Sequence, residues 1–266
     1  MKNLSLNKKK RRELELHNKI LFDNYNEIRE KKKFSRYYQD YWMEELLNLY
    51  SSVNSKNTPR LKILDYCCGT CILFPHVNKR FSKCQYLGID LSDKMLDVAK
   101  SRFKGFKNFK VDQQDGEDLK LKRNYFGLVL ARGAIHHLPN PSKGLNEIKR
   151  VLKDNGRLII SEPTSNKLFK MFRSILYKSS SQFTPSHKSF TYSELKKLLG
   201  DSGFKIIKLR KFGLIAYPFG LPDILPLVRY VPSVFLKPLI KIDEILLKIP
   251  VIRNFYWTIL IIAEKK

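Results

Sequence analysis

The sequence predicts an α/β fold, a mostly parallel sheet with helices on both faces. Three observations predict it. From Arg60 onward, short apolar runs alternate with amphipathic stretches; the first run ends in a small-residue turn; the second ends in a carboxylate. Repeated strand–helix units of this length imply parallel strands covered on both sides. With 266 residues and 43% hydrophobic content, the chain is long enough to bury a core around such a sheet.

Residues 1–57 are expected to be a basic helical N-terminal extension. They carry the runs Lys8–Arg12 and Lys31–Lys33, and the apolar spacing of Tyr37, Tyr38, Tyr41, Trp42, Leu46, Leu47 and Leu49 predicts a helix packed on the rest. Ser51–Pro59 is a polar linker. Strands follow at Lys62–Tyr66, Gln85–Ile89, Phe109–Asp112 and Tyr125–Ala131. Ser92 is a good N-cap for a helix through Arg102. A further helix from about Pro141 to Leu152 stops before the Asn155-Gly156 turn, and Arg157–Ser161 is the fifth strand. After a Ser/Lys-rich connection over 164–190, Thr191-Tyr-Ser-Glu194 forms a capping box that opens a helix closed by Gly203. Phe204–Leu209 and Phe255–Ala263 are the last strands, and the Pro-, Leu- and Ile-rich stretch 212–254 between them is too long for a hairpin loop.

Charge is unusual: 51 Lys and Arg against 25 Asp and Glu give +26. Such a surface attracts polyanions, and both nucleic acid and an anionic membrane qualify. A lysine-rich composition bias explains the same number equally well. Met1–Arg12 has no apolar signal core, and no stretch reaches the roughly 18 uncharged apolar residues a spanning helix needs. A cytoplasmic protein, peripheral on the membrane if it binds one, is therefore expected, with reduced cysteines. Cys68 and Cys71 have a metal-like spacing without a second pair to complete a site, so no metal is expected.

The chemistry begins where the first strand runs into Asp65-Tyr-Cys-Cys-Gly-Thr-Cys71. Small residues in such a turn let the backbone approach a ligand, and the following helix favours its negative end. Asp90, ending the second strand, supplies a carboxylate able to accept both hydroxyls of a ribose. Ile63-Leu-Asp-Tyr-Cys-Cys-Gly-Thr70 and Leu87-Gly-Ile-Asp-Leu-Ser-Asp-Lys-Met95, together with Gln114-Asp-Gly-Glu-Asp-Leu119, resemble the first three motifs of class I S-adenosylmethionine-dependent methyltransferases. Phe126-Gly-Leu-Val-Leu130 with Ile135-His-His-Leu-Pro139 is similar to the fourth, and 147–160 to the late helix–turn–strand signature. The likeness is to the ubiquinone- and menaquinone-biosynthesis type and spans residues 61–163.

That resemblance implies a Rossmann-like, seven-stranded, mostly parallel sheet over 58–266, with the N-terminal extension and the 212–254 insertion added. It implies S-adenosyl-L-methionine as cofactor. Cys67, Gly69 and Thr70 would hold its methionine end, with Asp65 orienting the ammonium and Ala131 at the edge of the fourth strand. Asp90 would take the ribose, Asp115 the adenine amino group, and the Gly116 amide the ring, with Leu91 and Met95 packed against the base. Simpler readings stand beside these: Asp65 as a helix cap, Met95 as core. His136 and His137 follow the fourth strand, at the end that faces substrate in such folds; either could take a proton from the acceptor, His137 being preferred.

Cys67 and Cys71 stand where the family usually has glycine, and Gly127 replaces a common Asp. The Asn/Asp-Pro-Pro-aromatic signature of amino methyltransferases is absent, Ala131-Arg-Gly-Ala standing there instead. Oxygen or carbon of a small, lipid-like acceptor (quinone, prenyl or lipid-linked) is the expected target. Within the insertion, Lys237, Lys241, Glu244 and Lys248 share one stripe. Leu236, Leu239, Ile240, Ile245, Leu246, Leu247 and Ile249 fill most of the remaining helix surface, with Val228, Tyr230, Val231 and Phe235 preceding. This pattern fits a helix lying in a membrane surface, and equally one that closes the core. A wobble-uridine tRNA methyltransferase and a non-catalytic cofactor-binding partner remain open as alternatives.

Overall fold

The computed structural model describes residues 8–16, 18, 33–53, 60–164, 170–171, 190–220 and 232–266. Most of the 51–59 linker, most of the 164–190 connection, and Val228, Tyr230 and Val231 lie outside them. Helices α1 (Lys8–Leu16) and α2 (Lys33–Ser51) precede the sheet. Then come β1 (Lys62–Tyr66), α3 (Phe74–Arg80), β2 (Gln85–Asp90), α4 (Asp93–Arg102), β3 (Phe109–Gln113), β4 (Phe126–Arg132), α5 (Pro141–Val151) and β5 (Leu152–Pro163). The chain finishes with α6 (Tyr192–Asp201), β6 (Phe204–Phe212), α7 (Ala216–Gly220), α8 (Leu236–Leu246) and β7 (Thr258–Lys265).

The seven strands lie in the order β3-β2-β1-β4-β5-β7-β6. β1 to β5 are parallel; β7 runs antiparallel between β5 and β6. The order reverses beside β1 and β4, where carboxyl ends of strands diverge and open sheets make their ligand crevice. Strand residues alternate between two cores. Ile63, Leu128, Leu130 and Ile159 face one that includes Tyr38, Trp42, Leu46 and Leu47 of α2, with Leu236 and Ile240 of α8. Leu64, Val129, Leu158 and Ile160 face the other, with Leu145 and Ile148 of α5 and Leu195 and Leu199 of α6. Helix α2 is thus core rather than appendage: Leu46 and Leu47 are fully buried, and Trp42 Nε1 donates to Ser161 Oγ of β5 at 3.0 Å.

Two local expectations are met in detail. Ser92 Oγ caps α4 by accepting from Met95 N, and Thr191 with Glu194 forms the full capping box of α6. The fifth strand differs, since it begins at Leu152 rather than Arg157. Phe126 pairs with Leu152 and Leu128 with Arg157, so Lys153–Gly156 make an excursion inside the strand and β4 is irregular at Gly127. A Cβ at 127 would meet Leu61 Cδ1 at 2.8 Å, the flexible end of a side chain that would have to shift.

The insertion helix α8, with its caps Phe235 and Leu247, divides its apolar residues. Leu236 and Ile240 are buried and Leu239, Leu246 and Leu247 half-buried, whereas Phe235, Ile242 and Ile245 are 57%, 42% and 62% exposed. Among the described residues no helix is long and apolar enough to cross a membrane.

Candidate active site

The turn after β1 is built around the carboxylate that ends β2. Asp90 Oδ2 accepts the Gly69 N–H at 2.8 Å and Oδ1 the Ser92 N–H at 2.9 Å, so one side chain joins the cofactor-type turn to the start of α4. The Cys68 N–H donates to Ile89 O at 2.8 Å and closes the same corner. Gly69 has φ 54°, and a Cβ placed on it would meet nothing within 4 Å. The backbone there faces open space, which suits the residues to a ligand laid against them. Cys67 and Cys71 share the left-handed conformation at φ 55°, where glycine is the unstrained residue. Cys71 is fully buried in the α2-side core, so its thiol packs where glycine would leave a void. Burial pushes the Cys67 and Cys68 thiols well above their usual value, keeping them protonated and poor nucleophiles.

Asp65, 3% exposed, accepts a hydrogen bond from the Tyr86 hydroxyl. Burial raises its carboxyl to about 7, against the lowering effects of the Tyr86 hydrogen bond and the Arg132 guanidinium. It is not a helix cap. Arg132 ends β4, donates to Gln39 Oε1 of α2 at 3.0 Å and lies 5.3 Å from the Trp42 ring centroid. Helix α2 therefore roofs the end of the sheet beside Asp65. Thr70 is buried, and Ala131 sits in the α5-side core opposite Ile160 of β5, so any ligand contact at 131 is with backbone.

At the β3 end, Asp115 Oδ1 accepts the Glu117 N–H at 2.9 Å. Gly116 is held against Tyr66, whose hydroxyl donates to its carbonyl at 2.8 Å and leaves no room for a Cβ. Leu91 is half-buried; Met95 is 4% exposed yet belongs to neither core cluster. The structure thus brings Asp65, Gly69 and Asp90 together at the β1–β2 corner, with Asp115 and Gly116 beyond the next strand.

Both histidines lie on the single 3-10 turn Ile135–His137 after β4. His136 Nδ1 is 2.6 Å from Glu162 Oε2, and Glu162 Oε1 also accepts the Ala134 and Ile135 amides at 2.9 and 2.7 Å. An ionised carboxylate only accepts, so the contact with Glu162 calls for a proton on Nδ1 and orients the ring. The His137 ring stacks 4.1 Å away, tilted 37°. The geometry therefore favours His136 as the oriented imidazole. Sequence reasoning did not single out Glu162. It ends a parallel strand next to β4, with Arg132 opposite Ser161, and that register was the available signal. It also missed Lys10, whose ammonium lies 2.6 Å from Asp115 Oδ2 and 2.8 Å from Glu117 Oε2.

Residues 57–201 match the family described as a methyltransferase domain. The chain is 28% identical over 170 residues to the demethylmenaquinone methyltransferase of Staphylococcus saprophyticus, covering 57% of this chain and 73% of that one. Among solved structures, magnesium protoporphyrin IX methyltransferase of Synechocystis PCC 6803 with bound S-adenosylhomocysteine superposes with TM-score 0.66 at 16% identity. The match covers 97% of this chain and all of that one. Geranyl diphosphate C-methyltransferase of Streptomyces coelicolor A3(2) gives 0.61 at 14%, over 86% and 79%. The two structural likenesses concern the fold. With the domain match over more than half its length and the corner at Asp65, Gly69 and Asp90, the chain belongs to the methyltransferase-domain family and is a class I S-adenosylmethionine-dependent methyltransferase.

Proposed function

We propose that the enzyme methylates oxygen or carbon of a small, lipid-like acceptor (quinone, prenyl or lipid-linked) presented at an anionic membrane surface. The observation that carries this is the outer strip of α8. Phe235, Ile242 and Ile245 follow one another by steps of seven and three along it, all exposed, with Lys237 and Lys241 exposed as well. An apolar strip edged by lysines is what an interfacial helix presents to a lipid headgroup region. The demethylmenaquinone methyltransferase relative, whose name gives a quinone-type substrate, supports the same acceptor class.

When bound, the cofactor supplies a methyl group on a sulfonium, an electrophile that needs little further activation. The chain's residues bind and orient. Asp90 holds the ribose diol while fastening the turn; Asp65 takes the ammonium; Gly69, with Cys67 and Thr70 beside it, lets the methionine end lie against the backbone. Asp115, Gly116, Leu91 and Met95 hold the adenine, with the backbone of Ala131 at the strand edge. His136, aligned by Glu162, removes the acceptor's proton, and His137 lies beside it. Holding acceptor and methyl group in line supplies most of the acceleration.

The test is transfer of a labelled methyl group to a lipid extract containing quinones and their demethyl precursors. Label should appear in the organic phase. In the same assay Glu162→Gln should lower turnover by about 10- to 100-fold while cofactor affinity holds. Label found in RNA instead of lipid would overturn the acceptor class.

A further inference from the structure

Helix α1 is held to the domain in an unusual way. None of its described residues belongs to either core cluster. Lys8, Arg11 and Arg12 are exposed, yet Lys10 between them is buried, its side chain 10% exposed. Its ammonium bridges Asp115 Oδ2 at 2.6 Å and Glu117 Oε2 at 2.8 Å, while Glu117 Oε1 accepts the Asn140 N–H. Burial alone would lower the Lys10 pKa, but the hydrogen bonds to Asp115 and Glu117 outweigh it and raise the pKa, so the ammonium stays charged. Eight residues on, Asn18 Oδ1 accepts from Ser92 Oγ at 2.6 Å, and Ser92 is the residue whose amide Asp90 holds. Lys10 and Asn18 therefore touch the loop after β3 and the start of α4, the two places assigned above to adenine and ribose.

We propose that helix α1, with Asn18, forms a lid over the adenosine moiety of the cofactor, latched by Lys10 on Asp115 and Glu117, which makes Lys10 a cofactor-retaining residue. This rests on the assignment of Asp90 and Asp115 to ribose and adenine. Lys10 and an adenine amino group do not exclude each other. Asp115 uses Oδ1 for the Glu117 amide and Oδ2 for Lys10, and each carboxylate oxygen has two acceptor positions. An ammonium between two carboxylates also relieves the repulsion that the buried pair would feel without it. The described contacts of the segment are polar, and polar contacts of this kind open at modest cost, as cofactor exchange requires. Closed, it places a basic helix over one end of the pocket.

The test is release of labelled S-adenosylmethionine from the full-length protein, chased with excess unlabelled cofactor. Lys10→Met should release it at least tenfold faster, with association within about twofold of wild type, and Lys10→Arg should stay close to wild type. Tryptic cleavage in the Lys8–Arg12 run should be slowed severalfold by cofactor in wild type and hardly at all in Lys10→Met. Release from Lys10→Met at the wild-type rate, or slower, would overturn the lid; a slower rate would mean that Lys10 competes with the adenine. Asp90→Ala separates the two levels of the argument. Weakened binding in Asp90→Ala with unchanged release in Lys10→Met sinks the lid alone. Wild-type affinity in Asp90→Ala removes the adenosine from this pocket, and the lid with it.

Discussion

Asp65, one residue from the end of β1, has its carboxyl held up at about 7 by burial, and an ammonium beside it would favour the ionised form. The sign follows from linkage. The folded apoprotein binds this proton between about pH 4 and 7 where the unfolded chain does not, so stability falls as pH rises through that window. A bound ammonium draws the proton off, so binding releases protons below about pH 7 and weakens as pH falls. Calorimetry should show S-adenosylmethionine binding tighter at pH 8 than at pH 6, with up to a tenfold loss per unit below the transition, and Asp65→Asn should flatten the dependence. A flat wild-type profile would separate Asp65 from the ammonium. At this scale the motif residues were legible, because a strand-end carboxylate and a small-residue turn are local patterns. Lys10 was not. It meets Asp115 across 105 positions of chain, and a cation in a basic run has nothing local to distinguish it from its solvated neighbours. At Cys71 the resemblance marks only a departure from glycine; the structure supplies the positive φ, and also the packing that offsets it.

Among elements, α2 shows how far apolar spacing carries. Its pattern predicted a helix packed on the domain; its depth in the core depends on aromatic partners distant in sequence, Phe212 stacked on Trp42 and Tyr217 edge-on to it. A polar clasp fastens the same helix to α3: His76 Nδ1 meets Glu44 at 2.8 Å, Nε2 meets Asp40 at 3.1 Å, and Arg80 reaches Glu44 at 2.8 Å. The hydrogen bond to Asp40, opposed by burial and joined by Glu44, raises the His76 pKa above 6.5. Its contribution is thus complete below about pH 6.5 and is lost as pH rises through the raised value. With both carboxylates partly exposed, His76→Gln should cost no more than about 1 kcal/mol at pH 6 and less at pH 8.5, read by denaturant unfolding. Equal costs at both values would show the ring to be merely packed. The β5 excursion was illegible for a different reason. Asn155-Gly156 signals a turn, and nothing local tells a turn before a strand from one inside it.

For the whole molecule, +26 is a long-range attraction with no address, and it treats a membrane and an RNA alike. What separates them is where apolar surface meets the charge. α8 commits Leu236 and Ile240 to the core and leaves Phe235, Ile242 and Ile245 outside, so Leu239 and Leu246, half-buried, are poor places to test membrane binding. The exposed strip is the right one. Apolar insertion scales with the area buried, and each lysine near an anionic surface adds about 1 kcal/mol that salt screens. Phe235→Glu with Ile245→Glu should abolish co-sedimentation with phosphatidylglycerol-containing vesicles and leave S-adenosylmethionine affinity unchanged, since neither residue contributes to the β1–β2 corner. Wild-type binding should weaken with salt but persist in part at moderate ionic strength, because the apolar term is not screened. An RNA ligand behaves otherwise: its affinity falls steeply and linearly on a log–log salt plot and is indifferent to the two apolar residues. If the wild-type protein ignores vesicles and binds structured RNA with that slope, the charge serves nucleic acid, and the exposed strip of α8 needs a partner other than lipid.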